Sequence, residues 1–302
     1  MNGIVSPRQP PPSTEDQDSS RRSPLNGFSR PPEATETEVP QAFATPPDQH
    51  AAGDAAASSG WPSPLEQMEL FRMSCPPLAA VAGRGIVTSC GADRPDYLLN
   101  AYVQFRLIRE LGCDLPIECW YAGAAERSER FADFMEPFGV TCRDAVAAGY
   151  IGHPLVKAVR FRGNLYNQAQ LHGYSLKPFA MLASRFAEFV WLDADCHPIL
   201  SPAAGFVQPE YQATVALVWE DDPCGTYHFP QLAPFGITVP SGQQHGWETG
   251  QMVIDKRRHW RALQLANWFC ANAEYWFQFI FGDKDAFFAA WLKEGEPYWL
   301  GH

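Results

Sequence analysis

The sequence after residue 64 alternates short apolar runs with longer segments of helical periodicity, and this alternation limits the possible folds more than any other feature. Runs with the length and composition of strands are Gly85–Gly91, Pro116–Tyr121, Val140–Cys142, Phe189–Leu192, Thr214–Trp219 and Gln251–Ile254. Segments with helical spacing of apolar residues are Leu65–Met73, Pro95–Leu111, Arg127–Pro137, Leu176–Phe186, Trp260–Phe269 and Asp283–Leu292. Strands that alternate with helices in this way predict an α/β fold with a mainly parallel sheet.

The first 64 residues have a different composition. They contain 12 of the chain's 27 prolines and few large apolar side chains. Such a segment cannot bury enough apolar surface to offset the entropy lost on ordering. The sequence therefore predicts a disordered leader over residues 1–64 and one folded domain over residues 65–302. The leader's composition does not distinguish a linker from a secretion or targeting segment.

Charge and cysteine content exclude several classes of protein. The net charge of −11 and the lack of clustered Lys and Arg argue against a nucleic-acid surface. No apolar run has the length of a membrane helix. The eight cysteines form no CxxC pair and no zinc spacing, so we expect free thiols in a reducing compartment. A soluble protein follows, cytoplasmic or, given the polar leader, a secreted bacterial effector.

Two carboxylates emerge where the apolar run Phe189–Leu192 ends. Ligands of α/β proteins gather at the carboxyl ends of strands, and Asp193 and Asp195 alternate there, so both can face one site. Two like charges that close repel each other, and a hard divalent cation, Mg²⁺ or Mn²⁺, makes both favourable. The alternative is a solvated turn or a pair of helix caps.

A second group of polar residues precedes the run Gln251–Ile254. Gly250 permits close approach of the backbone, and Glu248 and Gln251 offer a carboxylate and an amide on either side. These two side chains could hold an acceptor hydroxyl. The alternative is that Glu248 is an ordinary strand-edge residue and Gln251 an ordinary turn residue.

The third group opens the last predicted helix. Asp283 is a natural N-cap, and Asp285 suits the positive end of the helix dipole, while a helix start can also receive a diphosphate or a sugar. Lys177 precedes the Asp pair by one helix and could reach a nucleotide phosphate, although such a lysine is more often exposed. Arg160 is a further candidate for the diphosphate.

Three ordered motifs resemble the fungal-type (Golgi) alpha-mannosyltransferase family. The segments Lys177–Phe186, Glu188 and Trp191–Pro198 are similar to a family helix "KP-x-ALL-x-S-x-F-x-E" that leads into "LDADN-x-P". Glu248–Gln251 with Asp255 and Lys256 resembles the family's "ESGQ…DK" segment, and Gly282–Phe287 its "GDKDTF" segment. The resemblance extends from about residue 85 to residue 302.

The resemblance implies a GT-A fold with a Rossmann-like sheet and a Mn²⁺-dependent, retaining transfer of mannose from GDP-mannose to a hydroxyl of a glycan or glycoprotein. It implies that Asp193 and Asp195 hold the metal and nucleotide. It assigns Glu248, Gly250 and Gln251 to the donor or acceptor sugar. UDP-glucose, UDP-galactose and UDP-GlcNAc are rival donors.

The resemblance also places Asp283 and Asp285 in the catalytic pocket. The family's Asn after the Asp pair is Cys196 here, so a supporting amide is missing. Fungal members carry an N-terminal membrane anchor, whereas this sequence begins with the Pro- and Ser-rich leader. Family members continue past the last helix into a segment with a His that can complete the metal shell; here either His302 takes that role or the C-terminus is truncated. The alternative function is a nucleotide- or sugar-binding module of the same fold without activity.

Overall fold

The computed structural model describes residues 62–91, 95–127, 131–150, 158–161, 164–167, 175–221, 230–241, 243, 245–280 and 282–301. All statements below concern these residues. The predicted leader lies outside them up to residue 61, so its disorder and the domain boundary at residue 64 stay predictions. No helix in the described ranges is long and apolar enough to cross a membrane.

The described residues form nine strands and eight α-helices. The strands are β1 (Arg84–Ser89), β2 (Ile117–Tyr121), β3 (Val140–Asp144), β4 (Ala158–Phe161), β5 (Asn164–Asn167), β6 (Glu188–Leu192), β7 (Ala216–Glu220), β8 (Trp247–Asp255) and β9 (Trp299–Gly301). The helices are α1 (Pro64–Met73), α2 (Pro95–Glu110), α3 (Phe131–Met135), α4 (Leu176–Ala183), α5 (Pro209–Thr214), α6 (Trp260–Ala271), α7 (Ala273–Trp276) and α8 (Gly282–Glu294).

Seven strands form one sheet in the order β3-β2-β1-β6-β8-β7-β9. Only β8 runs against the other six, since it pairs antiparallel with β6 and β7. The carboxyl ends of β1, β2, β3, β6 and β7 therefore meet at one edge together with the start of β8. The predicted α/β fold with a mainly parallel, Rossmann-like sheet flanked by helices is confirmed. β4 and β5 form a separate antiparallel pair.

The uninterrupted apolar character of β6 follows from burial on both faces of the sheet. Phe189 and Trp191 belong to the core on one face, where helices α4, α6 and α8 pack, whereas Val190 and Leu192 belong to the core on the other face, with α2 and α5. A strand covered on both faces reads as a continuous apolar run. This position places the end of β6 in the middle of the sheet, where the two carboxylates follow.

Several element boundaries differ from the sequence-based predictions. β8 begins at Trp247 and not at Gln251, because the polar residues that read as a turn are paired with β6 and β7. Thr214 ends α5 and does not begin β7, since Val215 adopts a left-handed conformation (φ 55°) that separates the two. Of the helix predicted over 127–137, the described residues 131–138 form a short α-helix, α3, followed by a 3₁₀ turn at Glu136–Phe138.

Asp255 and Lys256 lie at the edge of the sheet opposite the two carboxylates. The buried Lys256 ammonium donates to the carbonyl oxygens of Leu182 (3.2 Å) and Ser184 (2.7 Å) and to the Ser184 hydroxyl (2.8 Å). These bonds satisfy carbonyls at the C-terminal end of α4, which no residue of that helix can reach. The motif residue Lys256 thus fixes α4, whose first turn carries Lys177.

The cysteines in the described part of the chain are free thiols, as predicted: Cys75, Cys90, Cys113, Cys119, Cys142, Cys196 and Cys270.

Candidate active site

The two aspartates lie on a tight turn and not on an extended strand. β6 ends at Leu192, and the Cys196 N–H donates to the Asp193 carbonyl (2.9 Å), which closes a turn over Asp193–Cys196. The Asp193 N–H donates to the Gly250 carbonyl (2.7 Å) and ties the turn to β8. The predicted reason for their proximity, alternation along a strand, is therefore wrong, because the turn sets both positions.

The environments of the two carboxylates differ. The Asp193 side chain is 32% exposed and accepts hydrogen bonds from the Trp191 indole N–H (2.8 Å) and the Lys177 ammonium (3.0 Å). Asp195 is exposed and forms no hydrogen bond or ion pair with the described residues. Asp193 is thus oriented by its neighbours, whereas the carboxylate of Asp195 is available to a ligand.

The Lys177 ammonium links four elements of the fold. It lies 3.0 Å from carboxylate oxygens of both Asp193 and Asp283, and it donates to the carbonyl (3.1 Å) and hydroxyl (3.2 Å) of Thr249. Burial alone would favour neutral lysine, but the two carboxylates outweigh it and raise the pKa of Lys177. Four oxygens surround three N–H groups, so contact with a phosphate would require one of these bonds to break.

Gly250 is required by the close packing of the site. A Cβ at this position would lie 2.5 Å from the Glu248 carboxylate, 2.8 Å from the Cys196 sulfur and 3.5 Å from the Asp193 carboxylate. The Glu248 side chain turns back on its own strand and accepts the Gly250 N–H at 2.5 Å. Gln251, paired with Leu192 at the end of β6, is exposed. These neighbours are side chains of the site itself, so the predicted role of Gly250 beside a donor or acceptor sugar stays a prediction.

Negative charge is concentrated around Cys196. Burial, followed by the carboxylates of Asp193, Asp195 and Glu248, raises the pKa of the Cys196 thiol to about 12. The carboxylates of Glu248 and Asp193 and the sulfur of Cys196 all lie close to Gly250. At neutral pH the thiol is protonated, so Cys196 adds no charge of its own to the site.

Asp283 and Asp285 lie in the first turn of α8, and both are buried. The prediction that Asp283 is the N-cap is wrong, since the helix begins at Gly282, which has a positive φ of 72°. Burial raises the pKa of Asp283, while its ion pair with Lys177 opposes that shift. Asp283 is therefore linked to Asp193 through the Lys177 ammonium, which lies 3.0 Å from both carboxylates.

Two predicted site residues cannot be compared with this geometry. Arg160 lies on β4, and only its backbone belongs to the described part of the chain. His302 lies outside the described residues. Their assignments to the diphosphate and to the metal stay predictions.

The turn also depends on Gln104, which sequence reasoning did not identify. This fully buried residue of α2 donates from its side-chain amide to the carbonyl oxygens of Asp193 (2.6 Å) and Cys196 (2.8 Å). The available signal was an amide on the helix face that carries Ala101, Phe105 and Ile108. A buried amide among apolar residues needs a polar partner, but the sequence does not name it.

The acidic residues form no ready-made cage for a metal. Within the described ranges, no three His, Cys, Asp or Glu side chains are arranged to hold one ion. Mg²⁺ is commonly bound by one or two carboxylates together with substrate phosphates and water. An unpaired exposed carboxylate at Asp195 beside the oriented Asp193 fits a metal of that kind, shared with a diphosphate.

Comparison with known proteins identifies the family. Residues 83–234 and 234–302 match the model of the mannosyltransferase family Mannosyl_trans3. The chain belongs to this family. The resemblance of its three motifs to fungal-type mannosyltransferases is thereby confirmed. The matched ranges include every candidate site residue.

Individual relatives are distant in sequence. Alpha-1,2-mannosyltransferase MNN24 of Candida albicans is 23% identical over 278 residues, with 79% of this chain and 36% of that protein covered. MNN5 of Saccharomyces cerevisiae is 23% identical over 274 residues, covering 71% and 44%. The chain thus spans less than half the length of these relatives. The solved structure of mouse xyloside xylosyltransferase 1 matches with a TM-score of 0.46 and 15% identity, covering 72% of this chain and 85% of the other.

Proposed function

We propose that this chain is a metal-dependent glycosyltransferase that moves mannose from GDP-mannose, with retention of configuration, to a hydroxyl of a glycan or glycoprotein. Membership of a mannosyltransferase family supports the reaction class. The observation that carries the proposal is the turn Asp193–Cys196, where an oriented and a free carboxylate stand at the edge of the sheet that receives ligands.

In this proposal Asp193 and Asp195 bind Mn²⁺ or Mg²⁺ jointly with the donor diphosphate. The metal neutralises the negative charge that develops on the departing diphosphate. The chain's own part is to hold the turn rigid, since charge stabilisation is most effective when the groups need not rearrange during the reaction. Lys177 and Trp191 hold the Asp193 carboxylate in place through their hydrogen bonds to it. His302 is the proposed further metal ligand, and Arg160 is proposed to bind the diphosphate.

The sugars are proposed to bind beside the turn. Exposed Gln251 lies next to the end of β6 and offers an amide to the donor or acceptor sugar. The Glu248 carboxylate already accepts the Gly250 N–H, which limits it to one orientation. Asp283 and Asp285 are buried, so their proposed part in the catalytic pocket is electrostatic. Asp283 in particular acts through Lys177.

A donor screen tests the proposal. The protein is incubated with GDP-mannose, UDP-glucose, UDP-galactose or UDP-GlcNAc, each with Mn²⁺ or with EDTA, and the released nucleoside diphosphate is measured. We expect GDP release from GDP-mannose that requires Mn²⁺. Release from a UDP-sugar alone would contradict the donor assignment. Binding of GDP and Mn²⁺ by calorimetry without release from any donor would instead indicate a binding module.

A further inference from the structure

The amide of Gln104 holds the turn that carries both aspartates. Gln104 is 0% exposed and lies 89 and 92 residues from the two residues whose carbonyl oxygens it contacts, Asp193 at 2.6 Å and Cys196 at 2.8 Å. The two bonds span the turn from its first residue to its last. The Gln104 side chain thus connects helix α2 to the turn through two hydrogen bonds.

The orientation of this amide is determined by its neighbours. Both contacted atoms are carbonyl oxygens, which only accept hydrogen bonds, so the nitrogen and not the oxygen of Gln104 must face them. The Asp193 carbonyl receives a second bond from the Cys196 N–H at 2.9 Å. Without Gln104, the Cys196 carbonyl would lose a partner in a partly buried position, and the described hydrogen bonds left to the backbone of the turn would be its internal bond and its link to β8.

Asp195 depends on this arrangement more than Asp193 does. Asp193 is also oriented through its side chain by Lys177 and Trp191. Asp195 has no hydrogen-bond or ion-pair partner among the described residues, so the backbone of the turn sets the position from which its side chain reaches a ligand. A metal ligand that shifts by even 1 Å loses much of its contribution, because coordination distances are narrow.

We propose that Gln104 is a positioning residue for the metal site: it fixes the turn Asp193–Cys196 so that the carboxylate of Asp195 is held ready for a divalent cation and its diphosphate. This inference rests on the proposed function for its metal part only. Cys196 occupies the position where the fungal-type mannosyltransferases have Asn, and a cysteine cannot supply a side-chain amide. Gln104 supplies an amide to the same turn from α2.

The experiment compares Gln104→Met with Ile108→Val in the otherwise unchanged chain. Met keeps the length and packing of Gln but removes both donated bonds. Ile108 is buried one turn further along α2, and its shortening tests a general loss of stability. Hydrogen exchange measured by mass spectrometry reports the protection of the backbone amides in the peptide that contains residues 193–196. Calorimetry gives the affinity for GDP with Mn²⁺ and with EDTA.

For Gln104→Met we expect exchange in the turn to be at least about tenfold faster, as two hydrogen bonds are lost. We expect the gain in GDP affinity that Mn²⁺ provides to fall by at least about tenfold. The affinity measured in EDTA should stay unchanged, and Ile108→Val should alter neither quantity. Gln104→Asn, which keeps an amide on a shorter side chain, should change both in the same direction and provides the test if the Met variant does not fold.

Unchanged exchange in the turn, or an unchanged Mn²⁺-dependent gain in both variants, would overturn the proposal. A chain that shows no Mn²⁺-dependent gain even with Gln104 intact would refute the proposed function and the metal part of this inference together. The exchange measurement would then decide alone whether Gln104 holds the turn. The two failures are therefore distinguishable.

Discussion

The buried ammonium of Lys177 gives the sharpest prediction of stability. Lys177→Met removes the only described cation within 3.0 Å of Asp193 and Asp283. Asp193 is 32% exposed and can recover hydration, whereas Asp283, at 8%, cannot, so the loss is set mainly by Asp283. Breaking a buried ion pair by removing one partner costs about 3–5 kcal/mol. For a domain of this size, that corresponds to a fall in Tm of about 10 °C.

Urea unfolding and calorimetry of the variant measure this loss. The double variant Lys177→Met with Asp283→Asn removes the uncompensated charge and should recover at least about 1 kcal/mol relative to Lys177→Met alone. Arg106→Met is the matched control, since its ion pair with Glu110 lies on the surface and should contribute nothing measurable. A loss below about 1 kcal/mol for Lys177→Met, or no recovery in the double variant, would refute the electrostatic reasoning.

Two further predictions concern Gly250 and Lys256. Gly250→Ala places a methyl group 2.8 Å from the Cys196 sulfur. We therefore expect the free energy of unfolding, measured by thermal unfolding, to fall by about 1–3 kcal/mol and Mn²⁺-dependent GDP binding to weaken. Full retention of both would show that the site is less tightly packed. Burial lowers the pKa of Lys256 to about 7 from 10.5, so the unfolded chain binds more protons between these values and stability must rise with pH. The free energy of unfolding should increase by about 2 kcal/mol from pH 7 to pH 9, and an equal increase in Lys256→Met would contradict this origin.

The architecture could be predicted well from the sequence because the signals for strands and helices are local. β6 could be read as buried because Phe189–Leu192 is apolar at every position, and the parallel sheet follows from helices placed between strands. The start of β8 could not be read in the same way. Glu248 and Gly250 have low strand preference on their own, and the pairing of Trp247 and Glu248 with β7 and of Gln251 with β6 makes the segment extended.

The contacts that shape the site are long-range and were not predictable. Lys177 reads as a phosphate-binding or exposed lysine, yet it lies between Asp193 and Asp283, and this position depends on how α4, β6 and α8 pack. The same packing distinguishes the two aspartates. If both carboxylates were solvated, truncating either side chain would leave stability unchanged. The Asp193 carboxylate, however, is bonded to Lys177 and Trp191. Of the two, only the Asp195 side chain can therefore be removed without loss of stability.

Asp195→Ala therefore tests the central claim most directly. The substitution removes an exposed side chain without described partners, so Tm should stay within about 1 °C of the parent value. The measurement is the calorimetric affinity for GDP in Mn²⁺ and in EDTA, with and without the substitution. The account predicts that Mn²⁺ strengthens GDP binding by the parent and that this gain falls at least about tenfold in Asp195→Ala. An equal gain in both proteins would show that the turn Asp193–Cys196 does not hold the metal.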